Sequence, residues 1–531
     1  MAAIFAGAAL AQEPAPLPSF AQLEAAGARI GTINVVTDDI FDRDDPRENN
    51  IAFRAANALH VTTKPWLIRR VLLFKPGDPV AQRVIDETER LIRSSTTVYD
   101  VTIRPVAYRD GVVDIEVHTR DTWTLQPGLK FRREGGVSSG ALNVKETNLA
   151  GTGTTIGIER NSTVDRSGTV LELSHDHLFD GWTGIALRRA AYDDGSASSL
   201  TLSHPFYALD TRWAAGASIA RFDRRDAVFE GGNAVGDYRH LQHAGELFAG
   251  HSNGLVGRWT HRQTVGINYQ ADAYEIDPSR PPPLTPPVDR TLAGPFFRYE
   301  AIEDDFITLT NRERIERPEY FAMGLHSTLQ VGRSLPAFGA TEQPWQLSAN
   351  VTKGFRAPGG RQILTAGSFS AQYGSTSGDV RAFGASARYF APQQGSLLFY
   401  LSGAVDTVRS PTAADDVLLG GDTGLRGYPI RYQRGVHRVL FTAEERYYTD
   451  WYLLRIFRVG AAAYFDVGRA WGGQIPNTSP GWLADFGIGL RLLNARASFG
   501  NVLHLDLAFP VHNSDPGIRS RQLVVKTAKT F

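Results

Sequence analysis

The sequence predicts an all-β transmembrane barrel of about 16 antiparallel strands, preceded by one small α+β domain. Three observations predict this fold class. Apolar and polar residues alternate with a period of two along most of the chain. Glycine (52 residues) and aromatic residues (28 Phe, 18 Tyr and 9 Trp) are abundant, yet the mean hydropathy is only −0.23. A spanning barrel has this composition because every second residue of each strand faces the interior instead of lipid.

Charge and cysteine content exclude several classes of function. The 56 Lys and Arg residues balance 56 Asp and Glu residues, so no net charge draws the protein to nucleic acid. The chain has no cysteine, which removes disulfides, thiolate zinc sites, iron–sulfur clusters and cysteine nucleophiles. The sequence therefore predicts no nucleic-acid partner and leaves little scope for covalent chemistry.

Residues 1–11 fit the tail of a secretory signal peptide, because an apolar stretch ends in the small residues Ala9-Leu10-Ala11. No Lys or Arg precedes that stretch, and the missing basic region suggests that the true start lies upstream of Met1. An Ala-rich disordered tail is the alternative. Residues 12–27 are rich in Pro and Ala and are predicted to be a linker. If the signal interpretation holds, the mature protein lies in the bacterial envelope.

Residues 28–125 predict a small domain with the order β-α-α-β-β. Asp78 and Pro79 are expected to begin the second helix, as its N-cap and first residue. The last two strands alternate cleanly and are joined through Asp110-Gly111, a strong hairpin signal. This order resembles the POTRA module, a periplasmic domain that offers a sheet edge to client polypeptides. An unrelated periplasmic domain or a receptor plug is the alternative.

Residues 126–531 predict the barrel. Leu503, Leu505 and Leu507 share one face of a strand, whereas His504 and Asp506 share the other. Such stretches reach ten residues or more, long enough for a tilted strand to cross a bilayer. Allowing roughly 25 residues for each strand and its loop gives about 16 strands. The Pro-rich segment 277–288 is expected to be a loop. The last five strands are expected near 435–448, 455–468, 482–492, 501–510 and 520–531.

Two motifs carry a family resemblance. Residues 420–429 read GGDTGLRGYP, and residues 464–468, two strands later, read YFDVG. This pair resembles the BamA/TamA outer-membrane assembly superfamily, or bacterial surface antigen family, which includes two-partner secretion transporters. There, an extracellular loop folds back into the barrel and its arginine meets an aspartate of the inner wall. The resemblance implies an in-folded loop 408–434 with the signature Gly424, Leu425, Arg426, Gly427 and Tyr428, and with the lumen partners Asp466, Gly468 and Glu444.

The residues support the same geometry without the resemblance. Glycine permits close backbone approach, so a glycine-flanked Arg426 can pass down a lumen, where its charge needs a carboxylate such as Asp466. A surface turn with a solvated arginine is the alternative. Phe531 follows Leu523, Val525 and Thr527 on one strand face, and the resemblance implies that it is the C-terminal assembly signal.

The resemblance implies an outer-membrane barrel that is not an enzyme. Its N-terminal domain, in the periplasm, engages client outer-membrane or secreted polypeptides, and the barrel inserts them into the outer membrane or moves them across it. Outer-membrane lipid is the other expected partner, and a monomer is expected. His175 and His177 lie on one strand face without further ligands nearby in sequence, so no metal or cofactor is predicted. The alternative is a passive pore or receptor, or a lipid-export barrel, with the N-terminal domain as plug or adaptor.

Overall fold

The computed structural model describes residues 17–179, 181–283, 285–412, 415–473, 481–496, 502–512, 514–515, 517–528 and 530–531. Within these ranges the chain forms a closed barrel of 20 strands and, before it, a small unit of helices and a three-stranded sheet. In the described part of the chain, no helix is long and apolar enough to span a membrane. The predicted signal segment, residues 1–11, lies outside the described residues.

The N-terminal unit covers residues 17–121. Its sheet has the order β1-β3-β2, in which β1 is parallel and β2 antiparallel to β3. Asp110 and Gly111 join β2 to β3 with φ angles of 51° and 78°, the positive values that a tight hairpin requires. Buried apolar residues of the sheet and of the long helix α4 form the core. The elements are α1 (Phe20–Ala25), β1 (Arg29–Asp38), α2 (Ile51–Leu59), α3 (Pro65–Arg70), α4 (Gln82–Ser94), β2 (Val98–Arg109) and β3 (Val112–Asp121).

Two predictions for this unit are wrong. The predicted linker 12–27 contains helix α1, because Ser19 and Gln22 form a reciprocal capping box and the apolar face of the helix is buried in the core. Asp78 does not cap α4, which begins at Gln82. The Asp78 carbonyl instead accepts from the Ile30 amide at 2.9 Å, so this segment extends the edge of the sheet. Residues 12–16 of the predicted linker lie outside the described residues.

The connection from β1 to α2 fastens the N-terminal unit to the barrel. Phe41 and Phe53 stack with their ring centroids 4.0 Å apart, in a buried cluster that includes Ile456 of a barrel turn. Arg496, in another barrel turn, donates to the Ile40 carbonyl at 3.1 Å and forms a buried ion pair with Glu48. Two barrel turns therefore hold this segment.

The twenty barrel strands are antiparallel to their neighbours in sequence order, and the last strand, β27, meets the first, β4. Four short strands lie outside the barrel sheet as the pairs β14–β15 and β21–β22. The strands after β3 are β4 (Leu125–Glu134), β5 (Val137–Leu149), β6 (Thr154–Ser162), β7 (Ser167–Leu178), β8 (Thr183–Tyr192), β9 (Gly195–His204), β10 (Trp213–Glu230), β11 (Asn233–Val256), β12 (Trp259–Glu275), β13 (Arg290–Glu303), β14 (Phe306–Leu309), β15 (Glu319–Ala322), β16 (His326–Arg333), β17 (Trp345–Ala357), β18 (Arg361–Tyr373), β19 (Val380–Pro392), β20 (Leu397–Arg409), β21 (Val417–Leu419), β22 (Gln433–Gly435), β23 (His437–Leu453), β24 (Phe457–Trp471), β25 (Leu483–Asn494), β26 (Val502–Pro510) and β27 (Gln522–Ala528).

The predicted number of about 16 strands is wrong, because the described residues form 20. The error lies in the loops. Two glycines, Gly135 and Gly136, are enough to join β4 to β5, and Gly231 and Gly232 join β10 to β11. Such turns leave chain for more strands than an allowance of roughly 25 residues each permits. The last five barrel strands, β23 to β27, lie at the predicted positions, and the Pro-rich segment 277–288 lies between β12 and β13.

The barrel is apolar outside and polar inside. Phe465, Ile488 and Leu523 are exposed on the outer wall, whereas Asp466 and Arg491, which lie on the same strands as Phe465 and Ile488, are buried in the lumen. This pattern suits a bilayer outside and a polar interior, and it indicates the bacterial outer membrane. We call the end that meets the N-terminal unit proximal and the opposite end distal.

Candidate functional site in the barrel lumen

Loop 408–434 enters the lumen from the distal end. Strands β21 and β22 pair with each other, and the residues between them turn toward the inner wall. Leu425 and Tyr428 are fully buried, and the Tyr428 hydroxyl donates to the Ala484 carbonyl at 3.0 Å. A Cβ on Gly427 would lie 2.7 Å from the Asp485 Cβ, so only glycine fits against this wall. The loop backbone thus packs directly on strand β25.

Arg426 lies at the centre of the site. Its Nε donates to Asp466 Oδ2 at 2.7 Å and its Nη2 to Asp466 Oδ1 at 3.0 Å, which makes a two-pronged pair. The same Nη2 donates to Glu444 Oε1 at 2.9 Å. The structure thus brings Arg426 together with two of its three predicted lumen partners.

The site is buried, although it lies in a polar lumen. The Arg426 side chain is 6% exposed and that of Asp466 is 0% exposed. Thr442 Oγ1 also donates to Asp466, at 2.7 Å, and Arg446 Nε donates to Glu444 at 2.8 Å. Each carboxylate therefore has a second donor, as a buried charge requires.

The third predicted partner, Gly468, acts through its lack of a side chain. A Cβ there would lie 2.8 Å from the Val439 carbonyl oxygen and 3.3 Å from Leu419 of β21. Gly424 has a φ of 123°, a conformation that other residues rarely adopt, and a Cβ on it would meet Leu440 at 2.4 Å. Both glycines thus let the loop approach the wall.

The site contains further residues that the sequence motifs do not indicate. The Arg426 guanidinium lies 3.3 Å from the ring centre of Tyr464, and its Nη1 is 3.8 Å from Asp506. Asp485 lies directly opposite Asp466 on the neighbouring strand, and Arg491 forms a fully buried ion pair with Asp506 at 2.5 Å. These four residues, Tyr464, Asp485, Arg491 and Asp506, are polar and occupy inward positions of strands whose outer faces are apolar. Those inward positions are the feature of the sequence that could have indicated them.

Phe531 does not lie where the strand pattern placed it. It is only 2% exposed, whereas Leu523, which was expected on the same face, is 52% exposed. Phe531 turns into the lumen, where its ring centroid is 4.6 Å from that of Tyr448. Strand β27 ends at Ala528, and His504 Nε2 hydrogen-bonds the Thr530 carbonyl at 2.8 Å, so the alternation of the strand no longer applies to Phe531.

The barrel has a weak seam between its first and last strands. Among the residues that the structure describes, strands β27 and β4 share the single register pair Val525–Arg133, whereas β26–β27 share seven pairs and β4–β5 share ten. Loop 408–434 reaches the distal end of this seam, where the Gly421 and Gly135 backbones are too close for a side chain between them. In the described part of β4 and β27, the seam therefore leaves backbone groups of two edge strands without strand partners across it.

A hairpin enters the lumen from the proximal end. This hairpin, residues 304–325, connects β13 to β16 and contains β14 and β15. Its tip residue Ile315 is buried in a cluster with Phe390, Leu398 and Phe531 of the barrel. The Arg312 carbonyl accepts from Arg446 Nη1 at 2.9 Å. The sequence pattern does not predict this hairpin.

The N-terminal unit covers the proximal end. Asp121 accepts from the Thr63 amide at 2.6 Å, and Asn148, near the proximal end of β5, donates to Thr63 Oγ1 at 2.8 Å. Glu87 of α4 accepts from the Leu209 amide of the β9–β10 turn at 2.8 Å, and burial raises the pKa of this carboxyl. The unit thus contacts turns on several sides of the barrel.

Comparisons with known proteins agree with this picture only in part. No family model and no curated protein matches the chain. Among solved structures, BamA from Haemophilus ducreyi lacking POTRA domains 1-3 is 12% identical, with a TM-score of 0.38, over 93% of this chain and 84% of that one. CdiB from Escherichia coli is 13% identical, with a TM-score of 0.47, over 95% and 77% of the two chains. The FrpB iron transporter from Neisseria meningitidis is 9% identical, with a TM-score of 0.40, over 94% and 93%.

These superpositions are loose and include an iron transporter, so the motifs and their geometry decide the resemblance. The structure places the arginine of the loop signature against the aspartate of the 464–468 motif, deep in the lumen. In this signature and in its partners, the chain resembles the BamA/TamA outer-membrane assembly superfamily.

Proposed function

We propose that the protein engages client polypeptides through its N-terminal unit and inserts them into the outer membrane through the seam between β4 and β27. The observation that carries this proposal is that the described residues of β4 and β27 share a single register pair across the seam. Two strand edges with unpaired backbone groups can template the strand of a client, since such edges pair readily with other chains.

The filled lumen favours insertion over passage through the barrel. Loop 408–434, held by Arg426, occupies the distal part, and hairpin 304–325 occupies the proximal part. Both would have to leave before a polypeptide could pass along the barrel axis. Opening the seam requires, within the described ranges of the two strands, the loss of one register pair.

The N-terminal unit supplies one usable sheet edge, which is β1. On the outer edge of β2, the amides of Val101 and Ile103 already donate to the carboxylates of Asp100 and Glu89, and Pro105 has no amide hydrogen. On β1, residues 33–38 form no backbone hydrogen bond to any described segment other than β3. We therefore assign strand addition by a client to this stretch of β1.

A cysteine pair across the seam tests the proposal, since the chain has no native cysteine. Arg133→Cys with Val525→Cys, once oxidised, should abolish insertion of a urea-unfolded outer-membrane barrel into proteoliposomes, and reductant should restore it. Leu507→Cys with Leu523→Cys, within the β26–β27 hairpin, is the matched control and should insert the client normally. Equal insertion by the oxidised seam variant would refute the role of the seam.

A passive pore or receptor is the second candidate, and the position of the N-terminal unit across the proximal end favours it. In that case the unit is a plug. Deleting residues 17–121 would then raise ion conductance in planar bilayers and leave any client insertion unchanged. Under the insertion proposal, the same deletion leaves a folded barrel that no longer inserts its client.

A further inference from the structure

A row of basic side chains crosses the outer wall of the barrel. Arg189 on β8, Arg221 on β10 and His243 on β11 are all exposed and occupy the same register row. Ser198 on β9 lies between the two arginines and pairs with both. Outward orientation follows from the alternation, because Leu187, two residues before Arg189, is exposed on the apolar wall.

None of these three side chains has a hydrogen-bond or ion-pair partner among the residues that the structure describes. The nearest acid on the same face is Asp223, two residues from Arg221. Its carboxylate is already occupied, since Arg239 donates to it at 2.7 and 2.6 Å. The row therefore presents unpaired positive charge to its surroundings.

Directly proximal to the row is an apolar groove of about 880 Å³ in the outer wall. Gly245 lies in one register row between Ile219 and Tyr269, which both have large side chains. Because Gly245 has no side chain, the groove is deepest there. The apolar side chains that line the groove are Ile156, Leu171, Leu173, Leu187, Leu200, Ile219 and Tyr269.

The row lies at the height of a membrane surface. Trp213, an exposed aromatic residue of β10, marks the proximal boundary and shares its register row with Tyr299. From Trp213 to Arg221 the strand rises roughly 27 Å, or about 20 Å along the bilayer normal at a tilt of ~40°. Because the apolar band of such barrels is ~25 Å tall, Arg221 lies near the distal headgroups.

We propose that the groove and the basic row together bind a lipid of the distal leaflet whose headgroup carries a phosphate. The phosphate lies between Arg189 and Arg221, whose strands are about 10 Å apart, a span that two arginine side chains can close on one group. An acyl chain fills the groove. This site is independent of the proposed insertion function. It lies on the outer face of the barrel wall, away from the lumen.

Native mass spectrometry of the detergent-solubilised full chain tests the site. Dioleoyl phosphatidic acid should be retained as one tightly held adduct, whereas dioleoyl phosphatidylcholine should be lost at lower collision energy. Arg189→Gln with Arg221→Gln should weaken retention of phosphatidic acid by roughly tenfold or more, since each arginine donates to a charged acceptor. The control is Arg381→Gln with Arg409→Gln, which removes two exposed cations that lie opposite each other on the neighbouring strands β19 and β20. This variant should retain phosphatidic acid as well as the native protein does.

A second variant separates the groove from the charges. Gly245→Leu fills the groove, and its Cβ would come no closer than 3.3 Å, to the Ser218 carbonyl oxygen, so the strand can accept it with a small shift. Retention should fall although both arginines remain. Equal retention of the two lipids, unchanged retention in either variant, or full displacement by millimolar inorganic phosphate would overturn the proposal. Heat-modifiable migration on gels confirms that each variant is folded.

Discussion

Removing the guanidinium of Arg426 should release loop 408–434 from the lumen. An exposed ion pair contributes ~0–1 kcal/mol, whereas removing one partner of a buried pair costs about 3–5 kcal/mol. With side-chain exposures of 6% and 0%, Arg426 and Asp466 fall in the buried class. Arg426→Ala would also leave Glu444 with one donor fewer. The ratio of released to docked loop should therefore rise by between about one hundredfold and a few thousandfold.

Limited proteolysis measures this ratio. When opening and closing are faster than cleavage, the rate of cutting between Asp415 and Gly435 follows the population of the released loop. Arg431→Ala is the matched control, because Arg431 belongs to the same loop and forms a two-pronged pair with Asp165, whose side chain is 45% exposed. That change should increase cutting by less than about fivefold.

The difference in cleavage between the Arg426 and Arg431 variants shows whether the buried pair holds the loop. If Arg426→Ala increases cleavage no more than Arg431→Ala does, the buried pair does not hold the loop. Exchange of the charges, with Arg426→Asp and Asp466→Arg together, should restore part of the protection that either single change removes. Cysteines placed at 426 and 466 should also crosslink in the folded barrel.

Three further changes test other parts of the structure. Gly427→Val places a Cβ 2.7 Å from that of Asp485, so it should release the loop while every ion pair stays available, with the same protease readout. The Glu319 carboxylate accepts from the amides of Arg312 and Glu313. Burial raises the pKa of Glu319 from 4.5 to about 7. Because the docked hairpin thus binds this proton more tightly than the free hairpin does, docking should weaken as pH rises from 4.5 to 7. The protection of those amides, which is their hydrogen-exchange rate compared with that of an unstructured peptide at the same pH, should fall over that range in the native chain but not in Glu319→Gln. Asp121→Ala leaves buried donors of His60 and Thr63 without their acceptor, at a cost of about 1–3 kcal/mol each. Proteolysis of residues 39–64 should therefore become faster, while the barrel still migrates as a heat-modifiable species.

Periodicity located strands better than it counted them. The alternation placed β23 to β27 at their observed positions, because inward and outward residues differ strongly in polarity there. The total was wrong because the number of strands depends on the lengths of the turns. Two-residue connections such as Gly135-Gly136 carry no periodic signal of their own.

The motifs indicated the centre of the site and missed its surroundings. Arg426 and Asp466 could be paired because both motifs are distinctive and the strand pattern put Asp466 inside. Hairpin 304–325 could not be found in this way. Its segment is charged and lacks alternation, and its burial comes from contacts distant in sequence, such as that of Ile315 with Phe531.

Glu444 and Arg446 connect the three elements that fill the lumen. Glu444 accepts from Arg426 of the distal loop and from Arg446. Arg446 in turn donates to the Arg312 carbonyl of the proximal hairpin and lies 5.2 Å from the ring centre of Phe531. Since these residues share one buried network, substitutions in the loop and in the hairpin should not act additively. Glu444 and Arg446, two neighbouring inward positions of strand β23, therefore couple the release of the loop to the release of the hairpin. They also couple both to the position of Phe531 near the seam.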